Sequence, residues 1–208
     1  MRRHLLLALL AALSIGAAPQ QRPSPMTFFI TSTPRGFGAS LGGLAGADAI
    51  CLRLATAAGA GDHVWRAYLS APAGDGTPAV NARDRIGRGP WVNVNGVEIA
   101  SSLDNLHSDA NNLTQATALT EKGMMIGPTK HDMLTGSNAD GTLSTAAPDT
   151  TCHGWTSLRE GQAMLGHSNR YGGGRGDSWN SAHLSRGCSQ DALKASLGDA
   201  LFYCFAAD

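Results

Sequence analysis

Charged residues and long apolar runs are both scarce in this 208-residue chain. Charged residues make up 15% of the sequence, against about 25% in an ordinary globular protein. The one long apolar run, residues 5–13, is much shorter than the ~20 residues that a membrane-spanning helix needs. We therefore expect no membrane insertion. Hydrophobic residues still supply 42% of the chain, enough for one well-packed domain.

The first 18 residues have the organisation of a secretory signal. Arg2 and Arg3 precede the apolar run, and small residues such as Gly16 and Ala18 follow it. We expect residues 1–18 to be removed, residues 19–26 to form a flexible Pro-rich leader, and residues 27–208 to form a single domain. The sequence thus predicts a protein that is secreted or periplasmic.

A surplus of positive charge is absent as well. The 16 Lys and Arg residues include Arg2 and Arg3, so the predicted mature chain carries 14 positive and 16 negative side chains, a net charge of −2. A protein that binds nucleic acid through its phosphates would show a basic excess or a basic stripe. The sequence therefore argues against a nucleic-acid partner.

Cysteine is limited to four residues, at positions 51, 152, 188 and 204. An even number of cysteines in an exported chain is typical of disulfides, and a four-thiolate zinc site is disfavoured because no close Cys-x-x-Cys pair occurs. Counting alone leaves three pairings open.

Periodicity predicts an α+β fold with one clear helix. Apolar residues recur at intervals of three and four from Leu44 to Ala58, which places Cys51 on the buried face of a helix that Gly59 ends. Residues 27–32, 63–70 and 201–205 have strand patterns, and 63–70 alternates so that one face is buried. Asn95-Gly96 predicts a hairpin within residues 91–100. Residues 101–151 are polar and mostly irregular, which suggests a functional loop region.

Several motifs in this order resemble the endostatin domain of collagens and related bacterial exported lectin-like proteins. They are Cys51 in its helix, Trp65-Arg66-Ala67-Tyr68-Leu69-Ser70, Val80-Asn81-Ala82-Arg83-Asp84, Gly136-Ser137-Asn138-Ala139-Asp140-Gly141, Cys152-His153-Gly154-Trp155-Thr156, Cys188 and Cys204. The resemblance spans most of the mature chain. It implies a C-type-lectin-like, endostatin-like fold with two nested disulfides, Cys51–Cys204 and Cys152–Cys188. The interval from Cys188 to Cys204 is longer than usual in that family, which suggests an insertion near residues 190–198.

The resemblance also raises the question of metal sites. Sugar-binding C-type lectins hold Ca²⁺ with a Trp-Asn-Asp triplet, which resembles Trp179-Asn180-Ser181 here with a carboxylate missing. We therefore predict no resident cofactor, with Ca²⁺ as the one alternative to test. The endostatin zinc site does not carry over, because its N-terminal histidines are absent, and the seven histidines here show no ligand spacing.

Polar and aromatic loop residues offer the groups that recognise sugars. Amides, carboxylates and guanidinium groups read hydroxyls, and aromatic faces stack on sugar rings. The candidate ligand contacts are Asn138, Asp140, Asn169, Arg170, Tyr171, Trp179 and Asn180. Two alternatives stay open: Trp179 can equally be a core residue, and Asn138–Gly141 is also typical of an Asx turn.

Catalytic motifs are weak. Gly166-His167-Ser168-Asn169-Arg170 lacks the last Gly of a nucleophile elbow, and no His-Glu-x-x-His occurs. We predict a non-catalytic exported module that binds a glycan or an extracellular protein. A structural or adhesive matrix component without a defined pocket is the alternative. An exported enzyme that uses cysteine chemistry is a third hypothesis, which pairing of all four cysteines would disfavour.

Overall fold

The computed structural model describes residues 24–74, 76–170 and 177–208 of the chain. The predicted signal segment and most of the predicted Pro-rich leader lie outside these residues. Met26, at the end of the predicted leader, is fully buried in the core, so packing begins at least one residue before the predicted domain start. None of the helices in the described ranges is long and apolar enough to cross a bilayer.

The fold is α+β, as the periodicity predicts. Short helices and strands are joined by long irregular segments, with a 3₁₀ turn at Ala82–Asp84. The elements in chain order are β1 (Phe28–Ile30), α1 (Gly43–Ala57), β2 (Trp65–Ala67), β3 (Trp91–Val92), β4 (Glu98–Ala100), α2 (Leu103–Leu106), β5 (Asp132–Leu134), α3 (Cys152–Trp155), β6 (Met164–His167), β7 (His183–Leu184), α4 (Gln190–Ala195) and β8 (Gly198–Ala206).

Strand β8 is the centre of the main six-stranded sheet. The sheet order is β1-β8-β5-β6-β7, and β2 also pairs with β8. The pairing of β5 with β8 is parallel and the others are antiparallel. All nine residues of β8 are buried, because side chains that alternate along the strand enter two different cores. Phe202 and Cys204 face the core under α1, whereas Tyr203 and Phe205 face an aromatic core on the other side.

Helix α1 is attached to the sheet by a partly buried ion pair and a disulfide. The Asp48 carboxylate accepts hydrogen bonds from the Arg85 guanidinium at 2.8 and 2.9 Å and from the backbone N–H of Ala67 at 2.9 Å. Cys51, on the same helix, is bonded to Cys204 of β8. The helix ends where Gly59 takes a positive φ of 79°.

Both disulfides have the nested pairing that the resemblance implies. Cys51–Cys204 joins α1 to the C-terminal strand, and Cys152–Cys188 joins α3 to the segment before α4. The four residues of α3 all have positive φ, between 49° and 69°, so this turn is left-handed. Trp155 closes the turn and donates its indole N–H to the carbonyl of Ser70 at 2.7 Å.

Three details differ from the sequence-based prediction. The alternation in residues 63–70 predicts one buried and one exposed face, with Tyr68 on the exposed face. Tyr68 is nevertheless fully buried, because both faces of the strand are covered. Strand β5 lies inside the stretch predicted to be mostly irregular, because a three-residue strand is too short to show periodicity. The segment predicted as an insertion contains helix α4, whose first turn is capped by the Ser189 hydroxyl.

Candidate functional site

The irregular segments between the strands enclose an open cleft of about 340 Å³. It is bordered by the residues after α2, the loop between β5 and α3, Arg170 after β6, and the segment before β7. Its walls are formed by His107, Ser108, Asp109, Ala139, Arg170, Asp177, Ser178, Trp179, Asn180 and Ser181. The cleft brings three of the predicted ligand contacts together, namely Arg170, Trp179 and Asn180.

A buried hydrogen-bond network forms the floor of the cleft. The Tyr68 hydroxyl lies 2.8 Å from Nε2 of His107 and accepts a hydrogen bond from Nδ2 of Asn180 at 2.8 Å. Nδ1 of His107 lies 2.8 Å from the carbonyl of Leu103, so in the neutral ring Nδ1 carries the proton and Nε2 accepts from Tyr68. Burial raises the pKa of Tyr68, so its hydroxyl stays protonated.

Asn180 supports the cleft wall through its internal hydrogen bonds. It is 1% exposed, and its amide also donates to the carbonyls of Asn138 at 3.1 Å and Ala139 at 3.2 Å. Its Oδ1 accepts from the Ser178 hydroxyl at 2.9 Å. Asn180 therefore holds two loops together, and its side chain has little capacity left for a ligand.

Gly141 lets the loop between β5 and α3 lie directly on this network. Its φ is +82°, and a Cβ at this position would stand 2.3 Å from Nε2 of His107 and 2.9 Å from the Tyr68 hydroxyl. Any side chain here would both strain the backbone and separate the loop from the floor.

Asn138 and Asp140 shape this loop and do not line the cleft. The Asn138 amide donates to Thr142 Oγ1 and to the Leu143 carbonyl, each at 3.1 Å. Oδ1 of Asp140 accepts from the backbone N–H and the hydroxyl of Thr142, and these bonds lower the pKa of Asp140. The geometry is that of the Asx turn considered from the sequence.

Trp179 is a core residue, which decides between the two interpretations of this position. It is 3% exposed, packs against Tyr68 and Tyr203 with ring centroids 4.6 and 5.3 Å apart, and donates its indole N–H to the Leu106 carbonyl. Because the ring is almost completely covered by protein, its burial favours the core interpretation over a stacking platform for a sugar.

Arg170 is a half-buried residue of the cleft wall. Its guanidinium donates to Oδ1 of Asn111 at 3.0 Å, whereas its buried Nε has no hydrogen-bond partner. Asn169 is half-buried and is not among the cleft residues. Tyr171 lies outside the described residues.

Two residues of the cleft, His107 and Asp109, were not predicted from the sequence. They follow α2 and belong to no recognisable motif, so only the fold brings them to the cleft.

The described residues do not offer a calcium cage in the lectin position. Trp179 is buried, the Asn180 amide is fully engaged, and Oδ1 of Asp140 is held by Thr142. Asp149 accepts hydrogen bonds from the backbone N–H groups of Thr151 and His153. These oxygens are directed into local turns and do not converge as the six to eight ligands of Ca²⁺ must.

A different group of side chains has metal-ligand geometry. Donor atoms of His131, Asp132 and His167 all lie within 4.8 Å of one another, and this is the one such group found in the described part of the chain. The sequence shows no ligand spacing at these positions. The antiparallel register of β5 and β6 places Asp132 opposite His167 and so brings them together.

No protein-family model matches the chain, and no curated protein sequence matches it significantly. Its function must therefore be argued from the geometry of the sites.

The His107 imidazole should make the protein less stable in acid. Burial lowers the pKa of His107 below its ordinary value of about 6.5. The contribution of neutral His107 to the free energy of unfolding is fully present above about pH 6.5. It is lost as the pH falls from there through the lowered pKa, by less than about 1.4 kcal/mol per pH unit because the group is partly exposed. His107→Gln should reduce the loss measured by urea unfolding between about pH 7.5 and about pH 5. Equal losses in the two proteins would contradict this assignment.

Proposed function

We propose that this protein is a non-catalytic exported binding module of C-type-lectin-like, endostatin-like architecture that binds a glycan in the cleft between the loops. The observation that carries the proposal is the convergence of Arg170, Asp109 and Asp177 with three serines around a concave opening. Pockets that bind small ligands combine a concave shape with a few polar groups that fix the ligand's orientation.

The lining chemistry favours a hydroxyl-rich ligand with a negatively charged or strongly polar group. The Arg170 side chain borders the cleft, the carboxylate of Asp109 is exposed, and serine hydroxyls can donate or accept. Because Trp179 is buried, recognition in this cleft would rest on hydrogen bonds more than on aromatic stacking. An extracellular protein that presents such groups is the second class of ligand.

The architecture assigned here is supported by the order of the sequence motifs and by the disulfides. The nested pairing is the one that the endostatin-like resemblance implies, and it holds α3 and the loops around it. Two disulfides also fit an oxidising extracellular compartment, which agrees with export by the predicted signal.

The non-catalytic assignment is supported by the state of the nucleophiles. All four cysteines are paired, so cysteine chemistry has no thiol to use. Ser168, in the segment that resembles a nucleophile elbow, is 3% exposed and donates its hydroxyl to the His131 carbonyl at 3.1 Å. Neither group has the exposure and adjacent base that an activated nucleophile needs.

The test is a glycan array followed by titration of the best ligand. Asp109→Asn should weaken binding about tenfold, because it removes one charged acceptor from the cleft while leaving the fold unchanged. Glu160→Gln, which makes the same charge change at an exposed position away from the cleft, should bind as the unmodified protein does. A blank array from folded protein, or equal loss in both variants, would contradict the proposal and favour the matrix component.

A further inference from the structure

Four side chains from three neighbouring strands meet at one end of the sheet, outside the cleft. Asp132 begins β5, His167 ends β6 and His183 begins β7, while His131 directly precedes Asp132. Strand register explains the meeting, because Asp132 pairs with His167 and His183 pairs with Leu165 of the same strand β6. Gly166 makes room for the neighbouring segment, since a Cβ there would lie 1.8 Å from the Trp179 carbonyl oxygen.

Three histidine nitrogens stand at the spacing of neighbouring metal ligands from the Asp132 carboxylate. Nε2 of His131 and Nε2 of His167 lie 3.2 and 3.3 Å from Oδ1 of Asp132, and Nε2 of His183 lies 3.3 Å from Oδ2. With metal–ligand bonds of about 2.0–2.1 Å, neighbouring donors of a tetrahedral zinc ion stand about 3.3 Å apart.

These contacts lack hydrogen bonds although the carboxylate is almost completely buried. Asp132 is 1% exposed and neither of its oxygens has a hydrogen-bond partner, and Nε2 of His167 is buried without one as well. The nearby Lys130 does not neutralise Asp132, because its ammonium group is paired with Asp199 at 2.6 Å. A buried carboxylate is costly without a positive partner, which at this place is either a metal ion or a protonated imidazole.

The outer hydrogen bonds of two imidazoles orient their rings for coordination. Nδ1 of His131 lies 2.6 Å from the Pro128 carbonyl, and Nδ1 of His183 lies 3.1 Å from the Leu184 carbonyl. A carbonyl can only accept, so Nδ1 carries the proton and Nε2 of the neutral ring presents a lone pair towards Asp132. Histidine ligands in metal sites are held by this kind of outer hydrogen bond.

We propose that His131, Asp132 and His167 bind one divalent transition-metal ion of the zinc class, with His183 beside the second carboxylate oxygen at the edge of the site. Imidazole nitrogens suit zinc, copper and nickel, whereas calcium and magnesium select oxygen ligands. The ion reaches the site from the side of His183, whose side chain is 43% exposed against 14% for His131 and 18% for His167.

The first experiment is calorimetric titration of untagged, chelator-treated protein with zinc chloride. We expect one ion per chain and no comparable binding of calcium. His167→Asn should weaken zinc binding at least about 100-fold, because it removes a ligand. His153→Asn, at a 57% exposed histidine outside the cluster, is the matched control and should leave it unchanged. Absence of zinc binding by the unmodified protein, or equal affinity in the two variants, would overturn the proposal.

A second measurement separates a metal site from a carboxylate paired with a protonated histidine, and it does not depend on the His167 variant folding. In chelator, Asp132→Asn should melt no lower than the unmodified protein, because it removes an unpaired buried charge. With zinc, the unmodified protein should gain thermal stability by mass action and the variant should gain none. A lower melting temperature of Asp132→Asn in chelator would show that Asp132 is ion-paired there and would overturn the proposal.

Discussion

Removal of the Cys51–Cys204 disulfide is expected to lower the free energy of unfolding by about 5 kcal/mol. The bond closes a loop across a sequence separation of 153 residues, and in the chain-entropy model a loop of this length restricts the unfolded chain by about that amount. Both cysteines are also fully buried between α1 and β8, so alanine at these positions leaves a small cavity in the core. The measurement is guanidinium unfolding of the Cys51→Ala/Cys204→Ala double variant.

The second disulfide supplies the matched control. Cys152–Cys188 closes a loop across 36 residues, and its removal should cost about 4 kcal/mol in the same model. The longer loop should therefore produce the larger loss. A Cys51→Ala/Cys204→Ala variant that unfolds within about 1 kcal/mol of the unmodified protein would show that α1 and β8 are held mainly by packing and by the Asp48–Arg85 pair.

Replacement of Trp179 with alanine should cost about 3–5 kcal/mol of stability. The indole fills the aromatic core between Tyr68 and Tyr203, and its N–H satisfies the Leu106 carbonyl at 3.1 Å. Trp179→Phe keeps most of the ring contact and loses the hydrogen bond, so its expected cost is about 1–2 kcal/mol. Chemical unfolding of both variants gives the comparison.

The Trp179 variants also distinguish a core residue from a sugar platform. A platform would contribute to ligand binding and little to folding, so Trp179→Ala would then unfold within about 0.5 kcal/mol of the unmodified protein while binding disappeared. The observed burial of Trp179 leads us to expect the opposite order: a large loss of stability, with binding lost only because the cleft wall collapses.

Local patterns predicted the elements whose side chains follow one clear period. The interval of three and four from Leu44 to Ala58 identified α1 and the buried position of Cys51. The Asn95-Gly96 step identified the β3–β4 hairpin, since Gly96 adopts the positive φ that the turn needs. The apolar run near the C-terminus identified β8. Each of these signals lies within a few residues, which is why the sequence alone carries it.

Other features were hidden because they depend on residues that are distant in the chain. Strand β5 has three residues and becomes a strand only by pairing with β8 and β6. Tyr68 sits in an alternating segment whose second face is covered by the aromatic core. Among the predicted ligand contacts, Arg170 reaches the cleft, whereas Asn180 and Trp179 serve mainly to build its wall.

The sequence by itself determined an α+β domain with a buried helix, a buried final strand and an even set of cysteines, because hydrophobic period and residue chemistry are local properties. Only the tertiary structure decided which cysteines pair, which polar side chains remain free to meet a ligand, and that three scattered histidines surround Asp132. Those outcomes follow from strand register and loop packing, which bring together atoms separated by 153 residues in the Cys51–Cys204 disulfide and by 51 residues between Asp132 and His183. A sequence pattern that spans only a few residues cannot predict contacts between residues so far apart in the chain.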